Sequence, residues 1–166
     1  VLRINFKISC TKDNYNSTIG LPISIFSISK SDEIFLAEMG TNQKGEIEYL
    51  CEVAQPDIGI ITNIAEAHIE NFDNLENIYN EKINLYKSIS NDGMIFINMD
   101  DILLSNNSLL SCERIEYGFS GDYDYTGNFF EMKDKLTINN NKKKNEYLCI
   151  SNPYLTNHLA KNILCS

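Results

Sequence analysis

A chain of 166 residues can bury one good hydrophobic core, and 43% hydrophobic residues is ordinary for a globular domain. A net charge of −9 disfavours nucleic acid and anionic membrane surfaces as partners, because both select basic residues. No apolar run is long enough to cross a bilayer, and no charged-then-apolar leader opens the chain. The five cysteines (Cys10, Cys51, Cys112, Cys149 and Cys165) form neither a CxxC pair nor a zinc spacing, so buried free thiols in a reducing compartment are expected.

Residues 4–10 alternate like a strand. A polar, Asn-rich loop follows over 11–22, longer than a simple turn needs. It fits a functional loop and a tolerant surface connection equally well. Residues 22–29 suit a short helix or a strand. Units then alternate: a strand near Ile34, a helix near Ile47, a strand near Ile58, a helix near Ile78 and a strand near Met94. Such alternation, with short apolar strands, predicts an α/β fold built on a mostly parallel sheet with helices on both faces. Residues 58–62 suit a strand buried on both faces, and Asp73 or Asn74 suits a cap for the helix that follows. Beyond Asn107 the pattern changes to short strands near 114–117, 125–132, 136–138 and 146–150. These predict a small antiparallel portion over about 113–150, with Lys142-Lys143-Lys144 at a solvated hairpin tip. Residues 154–163 close on a helical pattern. Val1 lies inside a strand pattern and Ser166 inside a helical one, so both ends are expected to be cuts through a larger protein.

Polar residues gather where the strands end. Glu38 closes the strand near Ile34, Asn63, Glu66 and His68 follow the strand near Ile58, and Lys82 rides on the next helix. Ligands collect at the carboxyl ends of parallel strands. A carboxylate, an imidazole and an amine at one such edge fit a cation and phosphate site. They fit equally a capping Glu, a satisfied His and a solvated Lys beside Glu81. No GxxxxGK followed by Ser or Thr is present. Gly40-Thr41-Asn42-Gln43-Lys44-Gly45-Glu46 follows a strand and opens a helix, but a Glu stands where a phosphate loop has its Lys. Two histidines without a serine elbow make a hydrolase triad a poor fit.

Taken in order, Glu38-Met39-Gly40, Gly45-Glu46-Ile47, Thr62-Asn63-Ile64, Ala67-His68-Ile69-Glu70, Lys82 and Asn98-x-Asp100-Asp101 resemble the central ATP-binding domain of the Mur ligases. The loop Thr11-Lys12-Asp13-Asn14-Tyr15-Asn16-Ser17-Thr18-Ile19-Gly20-Leu21-Pro22 is similar to the TxGNxNNxIGxP segment of one branch. That branch adds D-alanyl-D-alanine to UDP-N-acetylmuramoyl-tripeptide. The resemblance runs from Thr11 to the C-terminus and is densest over 35–101. It departs at Asp13, Ser17 and Asn84, and at Pro153 and Tyr154, where the family has His and Asn.

The resemblance implies a P-loop-type fold spanning 1–166 whose phosphate loop lies outside the chain. The N-terminal UDP-substrate domain and the C-terminal ligase domain would also lie outside it. It implies ATP and Mg2+ as cofactors, Glu38 and His68 as metal ligands, and Lys82 as a catalytic, carbamylated lysine beside His68. Asn63, Asp100, Asp101 and Asn157 would contact the nucleotide. Asn14, Asn16 and Thr18 would face UDP-N-acetylmuramoyl-tripeptide, with D-alanyl-D-alanine as the second substrate. It further implies a cytoplasmic ligase, monomeric when complete, serving peptidoglycan synthesis and through it cell shape and division. A decayed binding module, or a ligase of the folylpolyglutamate or cyanophycin type, remains open on the residues alone.

Overall fold

The computed structural model describes residues 2–65, 69–106, 111–119, 121–130, 135–143 and 146–151. Its described elements form two compact units, one of residues 1–56 and 65–88, the other of residues 57–64 and 89–166.

In the first unit a single 3-10 turn, Leu2–Ile4, precedes strand β1 (Ile8–Cys10). The predicted strand over 4–10 is thus shorter at its start. Strand β1 pairs in parallel with β2 (Ile34–Leu36), with Ser9 opposite Phe35. Between them lies helix α1 (Gly20–Phe26). It buries Leu21 and Ser24 and leaves Ile23 and Phe26 exposed, which is helical spacing. Helix α2 (Glu46–Ala54) buries Ile47, Leu50 and Cys51. These three meet Leu21, with Ile25, Phe35, Ala37, Met39 and Leu85 packed around them, and form the core of this unit. Burial pushes the Cys51 thiol up from its ordinary range; a hydrogen bond with Ser88 opposes this and the Glu81 charge adds to it. The thiol is therefore kept protonated and inert.

Helix α3 (Ile69–Phe72), which the periodicity did not announce, leads to α4 (Leu75–Lys82) and α5 (Asn84–Ser88). Asn74 is the cap of α4: its side chain accepts from the Asn77 N–H at 2.9 Å. Asp73 instead takes a left-handed conformation, with φ of 63°, which a short polar side chain tolerates. The helix expected near Ile78 ends at Lys82, with Ile83 separating it from α5, and Tyr86 on α5 is fully buried.

The second unit is a six-stranded sheet in the order β3-β4-β5-β6-β7-β8. Its strands are Ile58–Ile61, Met94–Asn98, Glu113–Gly118, Tyr125–Phe130, Lys135–Asn140 and Glu146–Ser151. Strands β3, β4 and β5 are parallel. The expected antiparallel character of 114–117 is corrected here. The chain leaves β4 through helix α6 (Ile102–Ser105), and a crossover of that kind returns the next strand in the same direction. Strand β6 also runs parallel to β5, but only Tyr117 and Gly118 pair with it, opposite Tyr125 and Thr126. The antiparallel portion is β6, β7 and β8.

Strand β3 is not buried on both faces. Ile61 is buried, but Ile58 is 55% exposed. The expectation of buried thiols holds for Cys51 and Cys112 and fails for Cys149, which is exposed on β8. That strand ends the sheet order, and an end strand has less to bury itself against. Lys142 and Lys143 are exposed, as a hairpin tip should be, and Lys142 meets Asp124 at 3.2 Å. The helical pattern over 154–163 lies outside the described residues.

Candidate functional site

In the first unit, the loop after β1 is folded against the segment after β2. The Glu38 N–H donates to the Thr11 hydroxyl at 3.0 Å. The Asn16 side-chain amide donates to Glu38 Oε1 at 2.9 Å, and the Gly40 N–H donates to the Asn16 carbonyl at 2.7 Å. A Cβ at Gly40 would come within 3.1 Å of the Asn16 side-chain amide and would press on it by a few tenths of an ångström. Glu38 itself is exposed. The result is a solvent-facing carboxylate held on one oxygen by a carboxamide. Two separate stretches of sequence are thereby brought together. Asn14 and Thr18 lie on the same loop as Asn16, Asn14 exposed and Thr18 half-buried.

The segment 41–47 follows directly. The Glu46 carboxylate accepts from the Asn42 and Gln43 N–H groups at 2.6 and 3.0 Å. The Glu81 carboxylate on α4 accepts from the Gly45 and Ile47 N–H groups at 2.7 and 2.8 Å. Backbone amides that would cradle a phosphate in a phosphate loop are thus taken by the protein's own carboxylates. That is the structural reason why Glu46 removes this segment from the phosphate-binding class.

Lys82, the next residue on α4, is half-buried. A cleft of about 430 Å³ opens beside α4, lined by Lys44, Phe72, Asn77, Asn80, Glu81 and Asn84 among others; Glu38, Asn16 and Lys82 are not among its described lining residues. His68 lies outside the described residues, and so does Asn157. Among the described residues no group of three His, Cys, Asp or Glu side chains gathers as a metal cluster. Magnesium does not demand one, since it commonly takes one or two carboxylates and fills its octahedron with water and phosphate oxygens. An exposed, oriented carboxylate such as Glu38 fits that role.

In the second unit, Asn98, Asp100 and Asp101 stitch together the carboxyl ends of three strands. Asn98, 5% exposed, donates to the Thr62 carbonyl at 2.8 Å. Asp101 accepts from the Ile64 N–H at 2.7 Å and caps α6 through the Leu103 and Leu104 N–H groups. Asp100 accepts from the Phe119 N–H at 2.9 Å. The cap of α6 is thus Asp101, while Asp100 is bound to the backbone just after β5. Asn63 is half-buried between two residues held this way. Asp101→Ala is expected to cost about 1–2 kcal/mol of stability through the lost cap. A urea titration would measure it, and a loss too small to resolve would show that the cap contributes nothing.

A sequence model of the Mur ligase middle domain matches residues 2–166. The chain belongs to the Mur ligase middle-domain family. The UDP-N-acetylmuramoyl-tripeptide–D-alanyl-D-alanine ligase of Bacillus subtilis (strain 168) is 34% identical over 125 residues, covering 75% of this chain and 27% of the relative. The enzyme of the same name from Rickettsia prowazekii (strain Madrid E) is 28% identical over 167 residues, covering 98% and 37%. The middle domain thus spans about a third of the length of the curated relatives it matches. Among solved structures, MurF ligase from Thermotoga maritima in complex with ADP superposes with a TM-score of 0.84 at 25% identity, over 99% of this chain and 38% of that one. MurF from Acinetobacter baumannii gives a TM-score of 0.86 at 20% identity, over 99% and 36%, a likeness of fold. No helix among the described residues is long and apolar enough to cross a membrane.

Sequence reasoning named Glu81 only as the residue beside Lys82 and gave it no role of its own. The signal was available: Glu81 falls on the same helical stripe as Ile78 and Leu85, three and four residues away. A carboxylate inside an apolar stripe is rarely buried unless it is paired.

Proposed function

We propose that this Mur ligase middle domain serves an ATP-dependent amide ligase that joins D-alanyl-D-alanine to UDP-N-acetylmuramoyl-tripeptide in the cytoplasm. The observation that carries the reading is the Glu38 cluster. The Asn16 loop, similar to that ligase branch's segment, orients the one carboxylate that the family resemblance makes a metal ligand. Relatives bearing that ligase's name, and an ADP complex of similar fold, support it.

In this reading the γ-phosphoryl of ATP passes to the tripeptide carboxylate, and ADP leaves. The dipeptide amine attacks the resulting acyl phosphate, and phosphate leaves from the tetrahedral adduct. Magnesium, when bound, supplies charge neutralisation for the phosphate oxygens. Glu38 would hold it, together with His68. Asn16 fixes the Glu38 rotamer, so that the carboxylate is already in place when the ion arrives. Asn63 would lie beside the phosphates, on a loop braced by Asn98 and Asp101 through Thr62 and Ile64. Asp100, Asp101 and Asn157 would border the nucleotide. Asn14 and Thr18 would face the tripeptide with Asn16. Lys82, carbamylated, would place an anion beside the bound cation.

The test is phosphate release by the complete protein with ATP, UDP-N-acetylmuramoyl-tripeptide and D-alanyl-D-alanine. Glu38→Gln keeps the shape and an acceptor for Asn16 but loses the charge. Its activity is expected to fall at least about tenfold, or ~1.4 kcal/mol of transition-state stabilisation, and high magnesium should recover part of it. Near-normal activity at ordinary magnesium would remove Glu38 from the site.

A further inference from the structure

Helix α2 begins without a cap of its own. Gly45 occupies the cap position in a left-handed conformation, with φ of 90° and no side chain to offer. The first N–H groups of a helix have no partner within it and are ordinarily met by the cap residue. Here Glu81, from another helix and 2% exposed, meets them: Oε1 accepts from Ile47 and Oε2 from Gly45. The Thr41 hydroxyl donates to the Gln43 carbonyl at 2.9 Å and stands 3.4 Å from Glu81 Oε1.

Glu81 thereby ties two parts of the candidate site that the sequence keeps far apart. On one side, residues 41–47 continue from Glu38, which the Thr11 hydroxyl and the Asn16 amide anchor. On the other side, the next residue along α4 is Lys82. We propose that Glu81 is a positioning residue: by capping α2 from α4 it sets the spacing of Glu38 and Lys82. The proposal rests on the ligase reading above, since that reading is what gives the spacing a use. Without Glu81, Glu38 keeps its own anchors. What is lost is the registration of its segment against the helix that carries Lys82.

The arrangement calls for a carboxylate. Two N–H groups converge on two acceptor oxygens. Glutamine would turn an NH2 donor toward one of them. Aspartate, shorter by one carbon–carbon bond of about 1.5 Å, would reach only one.

The experiment compares the complete protein with Glu81→Gln and Glu81→Asp, and with Ile25→Ala, which loosens the same core without removing either Glu81 hydrogen bond. It records thermal melting, amide exchange at Gly45 and Ile47, and ligation rate against magnesium and ATP. Below the melting range, Glu81→Gln should expose the two amides and lower kcat about tenfold to a hundredfold, the upper figure being the cost of misplacing a catalytic group by about 1 Å. It should raise the magnesium needed for half-maximal rate and leave the KM for ATP within about twofold. Glu81→Asp should fall between, and carries the test by the same readouts if the glutamine variant does not fold. Ile25→Ala should lose stability while keeping kcat. A folded Glu81 variant with exposed amides but full kcat and unchanged magnesium dependence would overturn the proposal alone. So would a loss of kcat in Ile25→Ala equal to that in Glu81→Gln. No turnover by the unsubstituted protein would overturn the ligase reading and this proposal together.

Discussion

Lys82→Ala in the complete protein is expected to lower ligation at least about a hundredfold, or ~2.7 kcal/mol of transition-state stabilisation. The proposed ligase chemistry would ask for an anion where the sequence supplies a cation. A lysine ammonium beside a magnesium held by Glu38 would be repelled by it. On the ligase reading, carbon dioxide would add to the neutral amine with release of a proton, leaving a carbamate anion. Alanine removes that anion and leaves a space behind. Short carboxylates such as acetate should therefore restore part of the activity by standing in that space. Arginine should not, because its guanidinium stays cationic at any working pH. The measurement is the ligation rate of the Ala and Arg variants, with and without acetate and bicarbonate. Full activity in Lys82→Arg would show that no anion is needed at this position. On the competing reading, a half-buried helix lysine with no catalytic duty, either change would alter stability by less than about 1 kcal/mol and leave the rate alone.

Leu50→Ala is expected to destabilise the fold by about 2–5 kcal/mol, as removal of a fully buried leucine does when the surroundings cannot close over the space. Leu50 is 0% exposed and lies among Leu21, Ile47 and Cys51, in the core on which α1 and α2 meet. Phe26→Ala, on the open face of α1 at 91% exposure, should cost no more than about 0.5 kcal/mol, although phenylalanine is the larger side chain. Urea midpoints for the two variants would check the ordering. A Phe26 loss equal to that at Leu50 would mean that the α1 face is covered in solution.

The elements most legible in the sequence were those with a single apolar period and marked ends. Helix α2 starts after Gly45 and shows Ile47, Leu50, Cys51 and Ala54 at helical spacing. Strand β4 is an unbroken apolar run between Gly93 and Asn98. Helix α1 was ambiguous because Leu21, Ile23 and Ile25 alternate as a strand would, while Leu21, Ser24 and Ile25 fit a helix. Burial of Ser24 and exposure of Ile23 decide for the helix, and burial is a property of the assembled unit. The direction of β5 was missed for a related reason. Strand direction depends on whether the chain crosses over before it pairs, and α6 is only four residues long.

Of the candidate site, the chemistry-bearing residues could be named from the sequence, because the order of Glu38, Asn63, His68, Lys82 and the Asn98 motif is a linear property. Residue type also limited what they could do: a carboxylate can hold a hard cation, and Glu46 cannot do a lysine's work in a phosphate loop. The tertiary structure alone decided which of them touch. It placed Asn16 on Glu38, set Asn98 and Asp101 to brace the ends of β3, and made Glu81 the cap of a helix begun 35 residues earlier. The physical reason is that a hydrogen bond depends on distance and angle between groups whose separation along the chain carries no trace of either. A helical or strand period reports which face of an element is buried. It does not report which orphan amide of another element will be waiting there.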